Sequence, residues 1–169
     1  MPYSPTPLGG QSADRYSVLG TAVWLWLPAV ADADLEPTQA EISAGTILQC
    51  SAQDISGFSV SPSFANTPDL CNVIDGKVFD GSTVDDSSMT FYNARDAVDA
   101  KAFFSALQTG FILHAPYGLP GTTALPGDVW PVTVGSVTSL PQMRGPAATR
   151  VDFAPASPNQ GWTIPVPTP

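Results

Sequence analysis

Few residues of this 169-residue chain could take part in acid–base or nucleophilic chemistry. His114 is the only histidine, so a metal cage built from histidines is not available. Residues 57–61 read Gly-Phe-Ser-Val-Ser, which lacks the last glycine of the G-x-S-x-G turn that exposes a nucleophilic serine. No G-x-x-x-x-G-K loop is present to cradle a phosphate. The sequence therefore predicts no enzyme and no cofactor, and it favours a structural role for His114.

The acidic residues are typical of turns and helix caps rather than of a metal site. Thirteen of the fifteen acids are Asp, a residue that favours turns. Asp32 and Asp34 begin a run like that of a calcium loop, but Glu36 and Pro37 depart from the pattern. We therefore expect no metal ion.

The two cysteines, Cys50 and Cys71, do not have the C-x-x-C spacing of a redox or metal motif. Free cysteine is among the most buried residue types, so two small buried thiols are expected. This usage favours a protein made in a reducing cytoplasm, and it leaves open whether the two cysteines pair.

The surface must be poor in charge. Only 12% of the residues are charged, against about 25% in a typical soluble domain. The formal net charge is -9, which argues against a protein that binds nucleic acid tightly through clustered Lys and Arg. Either the surface is neutral and polar, or other protein chains cover much of it.

The element that begins the folded part is a strand at residues 18–27 with two apolar faces. Trp24 and Trp26 point to one side, and the aliphatic residues between and beside them point to the other. Such a strand is covered on both sides, either within the domain or by a neighbour. The run is too short to cross a membrane, and Pro28 interrupts it, so no membrane is expected as a partner.

The remaining pattern predicts a mainly β protein with one long helix at residues 96–108. Ala100, Phe103, Phe104 and Leu107 follow helical spacing, Asp96 can cap the start and Gly110 can end the helix. A short helix is expected at 35–45. Further strands are expected at 46–51, 55–60, 84–92, 111–115, 129–137 and 149–153.

Residues 61–82 form a long segment between strands that is irregular in pattern but rich in apolar side chains. Such a length is uncommon for a solvated loop within a compact domain, so the segment is predicted to be an extended flap or hairpin that packs on another surface, which indicates a partner. The apolar residues of this segment are Phe64, Leu70, Val73, Ile74, Val78 and Phe79.

Together these elements predict a single domain over residues 1–169. Its core, at 18–154, is a β-sandwich or barrel packed against an α-helix. Pro-rich extended arms, at 1–17 and 155–169, flank that core.

The order and spacing of several blocks resemble the major tail protein, the tail tube subunit, of long-tailed siphovirus-type phages that infect actinobacteria. The blocks are LGTAVW at 19–24, PTQAEISAGT at 37–46, DDSSMTFY at 85–92, GDVWPVTVG at 127–135 and ATRVDF at 148–153. The resemblance covers about residues 18–154. The short Pro-rich C-terminus departs from relatives that continue into an immunoglobulin-like domain.

The resemblance implies rings, usually of six subunits, that stack into a tube through which DNA is ejected. The implied partners are further copies of the chain and other tail proteins: tape measure, tail terminator and distal tail. DNA would pass the lumen without specific binding, and the protein would lie in the virion tail after assembly in the host cytoplasm. An acidic, hydroxyl-rich wall would keep that DNA mobile, because repulsion acts only within about 8 Å in physiological salt.

Candidate residues follow from this resemblance. Lumen-facing candidates are Asp86, Ser88, Thr90 and Thr133, although an ordinary solvated face is an equal alternative. Candidates for contact between subunits or rings are the two arms, Trp24, Trp26 and the apolar residues of 61–82. The competing interpretation of the whole chain is a monomeric β-sandwich that binds glycans or a cell surface.

Overall fold

The computed structural model describes residues 20–68, 76–93, 99–140 and 146–167. They form ten strands and two short helices. In chain order the elements are β1 (Val23–Leu27), α1 (Gln39–Ser43), β2 (Thr46–Ile47), β3 (Ala52–Ser56), β4 (Val60–Thr67), β5 (Gly76–Val84), β6 (Ser87–Tyr92), α2 (Ala100–Phe103), β7 (Thr109–Ala115), β8 (Leu125–Leu140), β9 (Ala148–Pro155) and β10 (Asn159–Ile164). The expectation of a mainly β protein is confirmed.

Eight of the strands make one antiparallel sheet: seven follow the order β2-β1-β7-β8-β9-β6-β3, and β10 pairs with β8 outside this order. The long strand β8 organises this sheet. One of its sides pairs with β7, and its other side pairs first with β10 and then with β9. The terminal strands β2 and β3 do not pair with each other, so the sheet is not a closed barrel.

The larger core lies on one face of this sheet. Trp26 from β1 and Trp130 from β8 are 2% and 1% exposed, and Phe104, just after α2, packs edge-on against Trp26 with ring centroids 5.2 Å apart. Gly110 lies under Trp26, where a Cβ atom would come within 2.3 Å of the indole. The other buried residues of this core are Leu48, Met89, Phe91, Ile112, Val132, Val134, Val151 and Phe153.

A second core covers the opposite face of β1, β7 and the first half of β8. Leu25 and Leu27 of β1 pack there with Ile42 of α1 and Ile164 of β10. The two apolar faces of β1 are thus both covered by the chain's own elements. The C-terminal arm expected at 155–169 also differs, because β10 within it belongs to the main sheet.

The prediction of one long helix at residues 96–108 is wrong, because α2 spans only Ala100–Phe103. Asp99 caps it by accepting from the Ala102 N–H at 2.9 Å, while the proposed cap Asp96 lies outside the described residues. At Phe104 the backbone becomes extended, with φ -99° and ψ 139°, and its ring enters the core. After Phe104 the backbone forms hydrogen bonds with β8 instead of continuing the helix: the amide of Val134 donates to the carbonyl of Gln108. Tertiary contacts here outweigh helix propensity.

The short helix α1 is defined by a capping box. Thr38 accepts from the Glu41 N–H, and the Glu41 carboxylate accepts from the N–H groups of Thr38 and Ala31. The backbone hydrogen bond from Thr38, followed by that from Ala31, lowers the pKa of Glu41. The cap therefore fixes α1 over the second core and ties it to the preceding loop.

None of the helices in the described part of the chain is long and apolar enough to span a membrane.

Candidate functional site

A continuous polar surface lies on the side of the sheet opposite the larger core, across β3, β6, β9 and the second half of β8. Along β6, Ser87, Met89 and Phe91 are buried, whereas Ser88 and Thr90 point to the other side. The strand registers align Thr90 with Asp54 on β3 and with Arg150 on β9. We call this surface the polar face; it comprises Asp54, Ser56, Ser88, Thr90, Thr133, Ser136, Thr138, Arg150 and Asp152.

The structure brings the four lumen candidates to this one region. Ser88 and Thr90 lie on the polar face itself, and Thr133 joins it through its pairing with Ala154. Asp86 is exposed at the end of the face, where it lines a groove of about 370 Å³ with Ser88 and residues of β3 and β9. That these residues face a lumen stays a prediction.

Hydrogen bonds hold the charged groups of the polar face in place. Asp152 accepts from the Ser136 hydroxyl at 2.6 Å and pairs with the Arg150 guanidinium at 2.6 Å. The hydrogen bond from Ser136 is the main cause that lowers the pKa of Asp152; burial opposes it, and the hydrogen bond and charge of Arg150 add to the lowering. With Asp54 and Asp86, the region holds three carboxylates and one cation among many hydroxyls.

The predicted flap is a β-hairpin formed by β4 and β5, which pair with each other and with no other strand of the described residues. Phe64 and Phe79 lie opposite each other near its far end, with ring centroids 6.2 Å apart, and they are 56% and 65% exposed. Val78 is exposed on the other side of the hairpin. The candidates Leu70, Val73 and Ile74 lie outside the described residues.

The base of the hairpin is anchored in the larger core by Phe58. Its ring lies 5.3 Å from Trp24, 5.8 Å from Trp130 and 6.2 Å from Phe153, measured between centroids. Phe58 reaches this position through a left-handed turn, with φ 80° at Gly57 and φ 53° at Phe58 itself. A Cβ atom at Gly57 would lie 2.4 Å from the carbonyl oxygen of Asp86, so only glycine fits there.

Polar contacts complete this anchor. The Asp85 carboxylate accepts from the hydroxyls of Ser59 at 2.6 Å and Ser61 at 2.9 Å, and these bonds lower the pKa of Asp85. The Ser87 hydroxyl accepts from the Phe58 N–H at 2.7 Å. The sequence interpretation placed residues 55–60 in a strand and missed this anchor; the glycine before a lone phenylalanine was the only signal for it.

The two tryptophans of β1 have different surroundings. Trp26 is buried in its own chain's core, which leaves it no surface for contact with a neighbouring subunit. Trp24 is half-buried and stacks on His114 with ring centroids 4.1 Å apart. Of the two, only Trp24 remains a candidate for contact between subunits.

His114 lies in a cluster of packing and polar contacts. Its Nδ1 lies 3.5 Å from Asp128, and that carboxylate also accepts from the Gly161 N–H at 2.9 Å. Burial lowers the pKa of His114, and the charge of Asp128 partly offsets the effect. The cluster links β1, β7, β8 and β10.

Two further sequence predictions concern metals and thiols. Among the residues that the structure describes, no group of His, Cys, Asp or Glu could hold a metal ion. Cys50 is exposed rather than buried, because it lies in the turn between β2 and β3 at the rim of a groove beside Trp24. Cys71 lies outside the described residues.

Taken together, the geometry is that of a structural β domain with a polar sheet face and an anchored hairpin that exposes aromatic rings. A family model described as phage tail tube protein matches residues 12–168, and the chain belongs to this family. It is therefore a structural protein of the virion tail. Among curated proteins, none matches the chain.

Proposed function

We propose that this chain assembles into stacked rings of six subunits whose polar faces line a tube for DNA ejection. The observation that carries the proposal is the polar face itself. It has hydroxyls and carboxylates at consecutive outward positions of four strands, and its only cation, Arg150, is paired with Asp152.

The charge of this face suits a channel for DNA. Phosphate groups bind to free Lys and Arg, and each such contact adds affinity that would retain the DNA. Arg150 is 2.6 Å from the carboxylate of Asp152, so its charge is compensated locally. With a formal charge of -9 on every copy, a ring repels DNA at close range, within about 8 Å in physiological salt. The DNA then slides along hydroxyl groups.

An open strand edge supports ring formation. β7 pairs with β8 only as far as Thr133, so within the described residues no strand covers the same side of β8 from Gly135 to Leu140. Unpaired N–H and C=O groups at an edge are a template for another chain. A neighbouring subunit that pairs there continues the polar face around the ring.

The exposed hairpin and the terminal arms, residues 1–17 and the last residues after β10, serve contacts between subunits and rings. At its ends the tube meets the tail terminator and the distal tail protein, and a tape measure protein occupies its lumen before ejection. Assembly takes place in the cytoplasm of the host, an actinobacterium.

Sedimentation velocity combined with negative-stain microscopy of the purified chain tests this function. We expect ring-sized particles and tubes that grow with protein concentration. A protein that stays monomeric at high concentration, with no such subunit in the tails of assembled virions, would overturn the proposal.

A further inference from the structure

One side of the β4–β5 hairpin combines two phenyl rings with a cation. Phe64 pairs with Phe79, and two positions along, Asn66 pairs with Lys77. Because side chains two residues apart in a strand point the same way, these four share one side, here called the hairpin face. The edge-on arrangement of the two rings presents them as a preformed apolar unit.

An apolar groove lies elsewhere on the same chain, between the start of β1 and β3. It has a volume of about 540 Å³, and Trp24, Ala52 and Ile55 contribute its apolar lining. Cys50 and Asp54 also line it. We call it the Trp24 groove. The two strands that flank it lie far apart in the strand order and do not pair with each other, so no strand among the described residues bridges the groove.

We propose that the hairpin face of one copy seats in the Trp24 groove of a second copy. This inference rests on the proposed function, since it names the acceptor surface for a contact between subunits. Volume supports the match: a cavity of about 150 Å³ holds one benzene ring, so two rings need about 300 Å³. The Trp24 groove accommodates both rings, whereas the apolar pocket beside Ile47 and Phe103 has only about 150 Å³.

Charge supports the same pairing. Within the described residues, no ion pair includes Lys77 or Asp54. Lys77 stands on the hairpin face, and Asp54 lies where the edge strand β3 joins the polar face to the groove. In a chain so poor in charge, an unmatched cation on one surface and an unmatched carboxylate on the other define the orientation in which the two surfaces meet.

The position of the two surfaces favours open-ended assembly. β3 runs from Ala52 in the groove to Ser56, one residue before the turn that leads into the hairpin. β3 lines the groove along Ala52 to Ile55 and the hairpin begins at Val60, so the two surfaces are formed by different residues. A contact between unlike surfaces is heterologous, and it continues from copy to copy in rings or stacks.

Disulfide trapping tests the contact, because the native Cys50 marks the groove. Asn66→Cys places a thiol on the hairpin face, and Thr67→Cys places one on the other side of the same strand as the matched control. Both are made in a Cys71→Ser background and oxidised after assembly. We expect Asn66→Cys to give a ladder of covalent multimers on a non-reducing gel, and Thr67→Cys to give at least tenfold less. The ladder must vanish when Cys50→Ser is added.

Charge exchange gives an independent measurement. Lys77→Glu and Asp54→Lys should each raise the concentration needed for assembly about two- to fivefold, as expected for a surface ion pair. The double variant should restore it, which a merely structural effect of either residue would not do.

The possible failures differ from one another. Tubes that form without the Asn66→Cys ladder, or with an equal ladder from Thr67→Cys, overturn the contact and leave the proposed function intact. A protein that forms no assembly at all overturns both. If Ser17→Cys instead links to Cys50 within a monomer, the chain's own N-terminal segment fills the groove, and the contact is likewise overturned.

Discussion

The anchor of the hairpin makes the sharpest prediction about stability. Phe58→Ala removes a ring that contacts three aromatic side chains of the larger core. Truncating a buried phenylalanine costs about 3–5 kcal/mol of unfolding free energy. Phe58 is only half-buried, so we expect about 2–3 kcal/mol. The positive φ of Phe58 does not alter this value, because alanine keeps the same Cβ and hence the same backbone strain.

Phe64→Ala is the matched control, since it removes the same ring from the exposed end of the hairpin. Phe64 is 56% exposed and contacts Phe79, so the expected loss is at most about 1 kcal/mol. Urea denaturation, at protein concentrations too low for assembly, measures the change in unfolding free energy for both variants. For a chain of this length about 1 kcal/mol corresponds to about 2–4 °C in Tm, so Phe58→Ala should melt about 5–10 °C lower.

Assembly should distinguish the two variants in the opposite way from stability, with Phe64→Ala the variant that affects it. Phe64→Ala should raise the concentration needed for assembly while leaving Tm almost unchanged. Equal losses of stability for the two variants, or a loss below about 1 kcal/mol for Phe58→Ala, would refute the anchor.

Gly110→Ala should destabilise the fold by about 1–3 kcal/mol, because its Cβ would lie 2.3 Å from the Trp26 indole, whereas Gly121→Ala meets no atom within 4 Å and should be neutral in the same thermal melt. Asp85 has a lowered pKa, so its contribution to stability is present above the ordinary value of 3.8 and is lost as the pH falls through the lowered pKa. Asp85→Asn should therefore be less stable at pH 7, and the difference in unfolding free energy should shrink on acidification; a difference independent of pH would contradict this. Thr90→Lys adds a cation to the polar face, so tubes of this variant should retain DNA at low salt and release it at high salt, whereas wild-type tubes retain none. Equal retention by both would count against a lumen position for Thr90.

Local pattern was sufficient to predict the strands whose two sides differ. In β6 and β9 buried and outward residues alternate, and the polar residues selected from that alternation lie together on one face. Both sides of β1 were expected to be covered. In the structure, α2 packs in the core on one side of β1, and α1 and β10 pack in the core on the other side. Period-two patterns are reliable here because the side-chain direction follows directly from strand geometry.

Long-range pairing explains what the pattern could not predict. Residues 100–107 have helical spacing, yet the chain leaves the helix at Phe104 because its ring fills the core and the following residues pair with β8. Phe58 was assigned to a strand, although the left-handed turn at Gly57 sends its ring into the core. Cys50 was expected to be buried, but burial of a turn residue depends on which strands close over it. Such features depend on contacts between residues far apart in the sequence.

Cryo-electron microscopy of tubes assembled from the purified chain tests the central claim most directly. We expect stacked rings in which Ser88, Thr90 and Asp152 line the channel. Tubes in which these residues face the outside or lie buried between subunits would contradict it.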